Sequence, residues 1–466
     1  MGWLNKLLGK KQEKALQSGV SYQLYNGQFI QPADNKTTYI TEGYTVNDLI
    51  YAIVNLITDK VRTAPWGQYK VVDDEAAKKY FGLIQRKEIS GEDYKKALQY
   101  REKALKPVND LKLSALLESP NEVDTFSDLV ANSSIFKLLT GDRMIWAELL
   151  DGGANNGKPQ SLHILPSDLL TMKVTAQWPF KVTGYELTEW GLINESNIPV
   201  QSVLHDKYFN PVYSAQGDHL WGLSPLKAAL LLTTKSNEAN KTEAAQFQNQ
   251  GPKRIIFVDE SPELVNEEVA SQQAQQIKAI IQGREYSGSY NANKVATSGY
   301  RMNSIDIGLS PVDLGIVESE KWSLRRFCNV YGVPSQLLND PDNKTFNNQK
   351  EGEKALTMRC ALPQLNSFRE HLNRKLRNDW GYKGQNIIVD YDLSVFTELQ
   401  DDLQTKWQWV KELPVSWRYK LDLMGMDYED NQPGLDEVMI PSGYQPIDGY
   451  NVIDETLGQR DEETNI

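Results

Sequence analysis

Apolar residues recur at helical spacing in several stretches of the chain, and each such stretch predicts a helix with one buried face. Val46, Leu49, Ile50, Ile53, Val54, Ile57 and Val61 form the first stripe, which must stop before Pro65. Residues 66–72 then read as a strand. Over 73–110 the pattern thins to a Lys/Glu-rich helical stretch whose apolar anchors are Tyr80, Leu83, Ala97 and Leu98, a surface hairpin by its composition. Helices are expected at 113–117 and 126–139, around Ser119-Pro120-Asn121. A strand at 142–150 turns through Asp151-Gly152-Gly153 into a return strand near 162–165. Further short strands are expected at 172–174, 182–187 and 203–208.

The second half is more helical. Ser224 and Pro225 give an N-cap followed by proline at the first helical position, where a missing N–H costs nothing. The helix they open should run to about residue 249. It is apolar through Leu226, Ala229, Leu230 and Leu232 but polar and small beyond Thr233, so it needs a neighbour along its length. Gly251-Pro252 ends it. A strand at 255–258, a helix opened by Ser261-Pro262, a Gly/Ser/Asn/Tyr loop at 283–293 and strands near 295 and 302–307 follow.

Ser310-Pro311 repeats the capping signal, with Asp313 near the positive helix end. Leu314, Val317, Leu324, Cys328 and Tyr331 make its stripe, and Gly332 and Pro334 stop it. The run from Asn339 to Asn348 is made of turn formers with almost nothing to bury. A second helix follows, with Leu356, Cys360, Leu365, Phe368, Leu372 and Leu376 on one face and Pro363 in its middle, where the ring is expected to kink it. A strand at 387–390 and a mostly helical stretch at 393–424, broken at Pro414, precede an acidic end expected to be extended or disordered. The fold class is mixed α+β.

At 466 residues the chain is long enough for two to four structural units. Its 40% hydrophobic and 24% charged residues are ordinary for a globular protein, and no apolar run approaches a membrane span, so no membrane partner is expected. The first residues are basic and partly apolar. They are too broken for a signal peptide, and Lys6 spoils a myristoylation pattern, which leaves a short amphipathic arm. The two cysteines, Cys328 and Cys360, suggest neither a disulfide framework nor a metal site and suit a reducing compartment. A net charge of −12 argues against tight neutralisation of phosphates, but an acidic wall would let a duplex pass without sticking.

Candidate catalytic chemistry is thin. Gly152 to Lys158 has the spacing of a phosphate-binding loop, yet Pro159 stands where Ser or Thr would hold magnesium and a strand follows instead of a helix, so a hairpin turn is the better reading. The 4 histidines, His163, His205, His219 and His371, are widely separated. Carboxylates are plentiful and none marks a pair. No catalytic, cofactor or metal residue is assigned, and the alternatives of a cytosolic hydrolase with an unmarked carboxylate pair or another self-assembling virion protein, such as a neck adaptor, stay open.

The ordered series Trp221-Gly222-Leu223-Ser224-Pro225-Leu226, the stretch from Phe247 to Pro252, Gly332-Val333-Pro334, Phe346-Asn347-Asn348, Leu362-Pro363 and Leu372 to Leu376 resembles the portal proteins of tailed phages, HK97-like branch. That resemblance implies an N-terminal arm at 1–42, a wing at 43–223 carrying the 73–110 insertion, and stem helices at 224–250 and 310–332 capped by Ser224, Pro225, Ser310 and Pro311. Between the stems it implies a clip at 251–309. It implies a tunnel loop at 333–348, in which Asn343, Lys344, Thr345, Phe346, Asn347 and Asn348 would face DNA. A long helix and wing return strand at 349–398, kinked at Pro363, a helical crown at 399–440 and a flexible acidic tail at 441–466 complete it. At the crown, Leu413-Pro414-Val415-Ser416-Trp417-Arg418 departs from the family pattern, of which Arg418 alone matches. The implied role is structural, not enzymatic: a ring of twelve copies at one capsid vertex of the virion, assembled in the host cytoplasm as head-tail connector. Double-stranded DNA would pass through it in packaging and ejection. The partners implied are the terminase large subunit, the major capsid protein and a neck or adaptor protein.

Overall fold

The Asn35 side chain accepts a hydrogen bond from the Thr38 amide at 2.7 Å and so caps the first helical turn, α1 (Lys36–Thr38). The computed structural model describes residues 33–175, 179–187, 198–214, 217–248, 254–258, 302–306, 315–340, 346–399, 407, 410–413, 415–424, 434–436 and 438–439. From α1 the chain passes through a π-helical stretch, Tyr39–Thr45, into α2 (Asp48–Arg62), whose N-cap Asn47 accepts from the Ile50 amide at 3.0 Å. Tyr39, near the end of the 1–42 segment expected as an arm, is buried.

Next come β1 (Trp66–Val71), α3 (Asp74–Ile84), α4 (Gly91–Ala104), β2 (Leu105–Pro107), α5 (Leu111–Glu118) and α6 (Phe126–Thr140). Then follow β3 (Asp142–Leu149), β4 (Pro159–Ile164), β5 (Leu170–Val174), β6 (Val182–Leu187), β7 (Ile198–Pro199) and β8 (Val203–Lys207). After these come α7 (Pro225–Ala228), α8 (Leu230–Gln248), β9 (Arg254–Val258), β10 (Met302–Asp306) and α9 (Ile316–Tyr331). Beyond it lie α10 (Phe346–Leu356), α11 (Leu362–Asn378) and β11 (Ile387–Tyr391). The chain divides into two units, Met1–Ile89 with Lys96–Phe396, and Ser90–Lys95 with Thr397–Ile466.

In the first unit, all the paired strands are antiparallel. The sheets run β11-β1-β2, β4-β3-β8 and β5-β6-β7, and β9 pairs with β10 from Met302 opposite Val258 to Asp306 opposite Arg254. The helix α2 is the spine. Its Ile50, Ile53, Val54 and Ile57 are buried in one cluster with Leu138 and Leu139 of α6, Leu226, Leu232, Phe327, Tyr331, Leu356 and Cys360. Trp66 of β1 ties in α6 and α11 through edge-on contacts with Phe126, Phe368 and Tyr391 at 5.4–5.7 Å between ring centres.

The 73–110 segment is helical but is not a surface appendage. Tyr80, Ile84, Ala97 and Ala104 are buried, and β2 extends the β1 sheet. Its Tyr80 hydroxyl donates to buried Asp390 at 3.0 Å, and Arg101 reaches Asp390 and Asp392 at 3.5 Å each. Charge-rich composition hid this because a few large side chains and one arginine carry the attachment. The Gly152–Lys158 stretch is a hairpin turn between β3 and β4, and Lys158 pairs with Asp110 at 3.3 Å beside the Tyr382 ring.

A carboxylate at the centre of this unit organises several elements. Asp206 of β8 accepts from Lys137 and from Ser367 at 2.7 Å each, lies 3.6 Å from Arg143 and 3.7 Å from His371. Burial opposes its charge, but Arg143, Lys137 and His371 outweigh burial and hold its pKa at about 2.

In the second unit, β12 (Val415–Ser416) pairs antiparallel with β13 (Val438–Met439), and α12 (Trp417–Met424) follows β12 directly. Arg418 pairs with Asp436 at 2.9 Å. Among the described residues, the expected helical crown therefore contains a two-stranded ribbon, in which β-branched Val415 suits a strand position. The expected tail, 441–466, lies outside the described residues.

Candidate functional site

The Trp221–Leu226 motif is seated by backbone contact. Gly141 ends α6 in the left-handed conformation at φ 90°, and a Cβ on Gly222 would sit 2.0 Å from the Gly141 carbonyl oxygen, so only glycine fits at 222. The Gly222 amide donates to Asp142 at 2.7 Å. Lys36 pairs with that same carboxylate at 2.9 Å while lying 3.3 Å above the Trp221 ring. Ser224 then donates to the Leu139 carbonyl and accepts from the Leu226 amide at 3.0 Å, which caps α7, with Pro225 at its first turn.

The helix read from Ser224 is not continuous. Ala229, at φ −102° and ψ 9°, separates α7 from α8. The first half of α8 buries Leu232, Thr233, Thr234, Ser236 and Asn237, and Asn237 bonds Asn47 and the Glu42 carbonyl at 2.8 Å each. From Lys241 onward the protomer leaves Lys241, Thr242, Ala244 and Ala245 exposed.

The helix read from Ser310 is described only in its later part. Ser310 and Pro311 lie outside the described residues, and the helix seen, α9, starts after Gly315, which is left-handed at φ 61°. A left-handed residue interrupts the α-helical ladder at 315, and the start read at Ser310 lies outside the described residues. The α9 helix buries Ile316, Ser323, Phe327, Cys328 and Tyr331 and ends at Gly332, again left-handed at φ 73°. Tyr331 donates to the Leu138 carbonyl at 3.2 Å. Burial pushes the Cys328 thiol up to about 12, with Asp340 adding to it, so this cysteine is a packing residue.

After α9 the chain makes a short 3-10 turn, Ser335–Leu338, and reverses at Asn339, the one non-glycine residue at positive φ among the described residues. Asp340 follows and is 1% exposed. The Arg325 guanidinium grips it with two parallel bonds, Nε to Oδ2 at 2.9 Å and Nη2 to Oδ1 at 2.8 Å, and Ser335 donates to Oδ2 at 2.9 Å. The expectation that 339–348 buries almost nothing fails at this carboxylate. Turn composition reports backbone preference and cannot report a partner 15 residues upstream.

Asn343, Lys344 and Thr345 lie outside the described residues. Phe346, Asn347 and Asn348 form the first turn of α10, so helix replaces the expected loop at those positions. On α10, a Cβ at Gly352 would sit 3.0 Å from the Gln336 side chain and 3.2 Å from Leu337, so the helix rests closely on the 3-10 turn. Both sides of the 341–345 segment are thus rooted in the same protein mass. Near Pro363 the helix widens into a π-helical stretch, Thr357–Ala361, where the Leu362 amide bonds the Thr357 carbonyl, and α11 then carries Pro363 in its first turn. A π turn re-pairs carbonyls that a proline, lacking an N–H, would leave without donors.

Among the described residues no group of three or more His, Cys, Asp or Glu could hold a metal ion, and no helix is long and apolar enough to cross a membrane. The histidines are scattered: His205 bonds Asp142 at 2.7 Å, and His371 sits at the Ser367 carbonyl at 2.8 Å. What the geometry assembles is a left-handed turn at Asn339 followed by a buried carboxylate held by Arg325 and Ser335.

A family model for the phage portal protein matches residues 95–414, which is more than half of the chain. The chain belongs to the phage portal protein family. An uncharacterized protein of Rickettsia felis is 25% identical over 376 residues, which covers 78% of this chain and 83% of that one. Among solved structures, a chain from the neck of an empty gene transfer agent particle, computed with C6 symmetry, matches with a TM-score of 0.54 at 22% identity over 86% of this chain and 96% of that one. A chain from the neck of a native particle of that kind, computed with C12 symmetry, matches with a TM-score of 0.52 at 20% identity and the same coverage. The mixed helix-and-sheet portal fold follows, and as a portal protein the chain is a virion component.

Proposed function

We propose that this portal protein assembles as a ring of twelve copies at one vertex of the capsid, and that double-stranded DNA passes through the bore during packaging and ejection. The pinned reversal at Asn339 and Asp340 carries this reading. It lies directly before the 341–345 segment, and the helices on either side, α9 and α10, contribute Tyr331 and Leu356 to the same cluster. Repeated around an axis, such segments would line a channel. Lys344, with Asn343 and Thr345 beside it, would make brief, salt-screened contacts with phosphate on an otherwise acidic chain.

The exposed end of α8 supports the ring. Ala244 and Ala245 are small enough for close helix approach and lack cover within one protomer. The symmetric necks that contain the structurally similar chains support it too. The terminase large subunit, the major capsid protein and a neck adaptor are the partners of such a ring, assembled in the host cytoplasm, and the HK97-like branch is the one the ordered motifs favour. Ser310 and Pro311 would cap the second stem on the side of the clip.

Light scattering and negative-stain imaging of the purified chain test the assembly, and rings with a central hole are expected. A chain that stays monomeric under every assembly condition overturns the proposal. Deleting 341–345 is expected to leave rings intact and to impair DNA packaging; normal packaging removes the channel-loop role.

A further inference from the structure

The base of the 341–345 segment carries a second, separable role. We infer that Asp340 is a positioning residue: held by Arg325 and Ser335, it fixes the direction in which the chain leaves the core, and the Arg325 fork is the part that sets that direction. This rests on the channel-loop reading for its functional consequence, though not for its geometry.

Two observations and one physical principle support it. A carboxylate that is 1% exposed sits immediately before the segment, in a stretch otherwise built from turn residues. Burying a charge is unfavourable unless it is paired and hydrogen-bonded, so Asp340 has to keep its partners wherever the chain goes next. The grip has direction as well as strength. Two parallel bonds at 2.8 and 2.9 Å fix the plane of the carboxylate against the guanidinium, which a single-point lysine contact would not do.

The Arg325 side chain is itself held. It grows from the middle of α9, whose Phe327 and Cys328 are fully packed, and its guanidinium lies 5.6 Å from the Trp322 ring one turn earlier. Meanwhile Ser335, at the start of the 3-10 turn, ties the same Oδ2 atom to the segment's own approach at 2.9 Å. Asn339 is thereby locked at φ 61°, a conformation asparagine tolerates better than most residues. Because the carboxylate is fixed to α9 on one side and to the 3-10 turn on the other, the chain reverses at one place and in one orientation.

Hydrogen exchange on assembled rings of the full-length chain tests this with Arg325→Lys and Asp340→Asn, both close in size to the residues they replace. Exchange at residues 335–340 is expected to rise about tenfold or more, while α2 and the first turns of α9 keep their rates. Unchanged exchange at 335–340, or an equal rise throughout α2 and α9, overturns the inference, since the first means no clamp and the second a general loss of packing. Rings of Arg325→Lys are also expected to package less DNA than the unaltered rings. If the 341–345 deletion impairs packaging while Arg325→Lys packages normally, the positioning role fails and the channel reading survives. If the deletion packages normally while the local rise in exchange is seen, the channel reading fails and the clamp stands.

Discussion

Asp206 and Asp340 are both buried carboxylates held by guanidinium or ammonium groups, yet they sit in opposite kinds of surroundings. Asp206 lies among β8, β3, α6 and α11, with Lys137, Arg143, Ser367 and His371 converging on it from three elements other than its own. Among the described residues, Asp340 has partners close in sequence, Arg325 and Ser335. A carboxylate with partners on several elements cross-links the fold, and its loss is felt globally. One with partners from its own neighbourhood fixes a local direction, and its loss is felt where the chain turns.

The largest break in that comparison is Asp206→Ala. It leaves Lys137 and Arg143 buried without their counter-charge, and a loss of about 4 kcal/mol in unfolding free energy is expected by denaturant titration. Next is pH. The Asp206 carboxyl is depressed to about 2, below its ordinary value, so its contribution is present above about pH 4 and is lost as pH falls toward 2. A decline of roughly 2–3 kcal/mol is expected over that window, and the limb should vanish in Asp206→Asn. Ser335→Ala should have the smallest effect. It removes one hydrogen bond to Asp340 and spares the Arg325 fork, so a loss of about 1 kcal/mol is expected, with exchange changes confined to 335–340. A loss equal to that of Asp206→Ala would erase the distinction between the two sites.

Elements with strong periodicity or explicit caps were legible in the chain. The α2 stripe of Ile50, Ile53, Val54 and Ile57 is the buried face of the spine, and Ser224 with Pro225 does cap a helix. The β3–β4 hairpin follows its glycine turn. The charged 73–110 stretch was legible as helix but not as core, because Tyr80 and Arg101 attach it through Asp390, which lies some 300 residues away in sequence. Gly315 shows a different difficulty. Serine and proline at 310–311 signal a start, and nothing local announces that the described helix begins after a left-handed glycine.

At the candidate site the same division holds. Turn residues from Asn339 onward mark a turn, and 341–345 lie outside the described residues. Arg325 reads only as a charged position off the apolar stripe, and Asp340 as another turn former. Hydrophobic spacing and capping residues therefore determined where helices and strands lie and which faces they bury, since these depend on neighbours a few positions apart. The tertiary structure alone decided which charge meets which, that Gly222 must press against Gly141, and that Asp340 goes inside. Those outcomes depend on atoms brought together by packing, and a buried charge chooses its partner by distance in space.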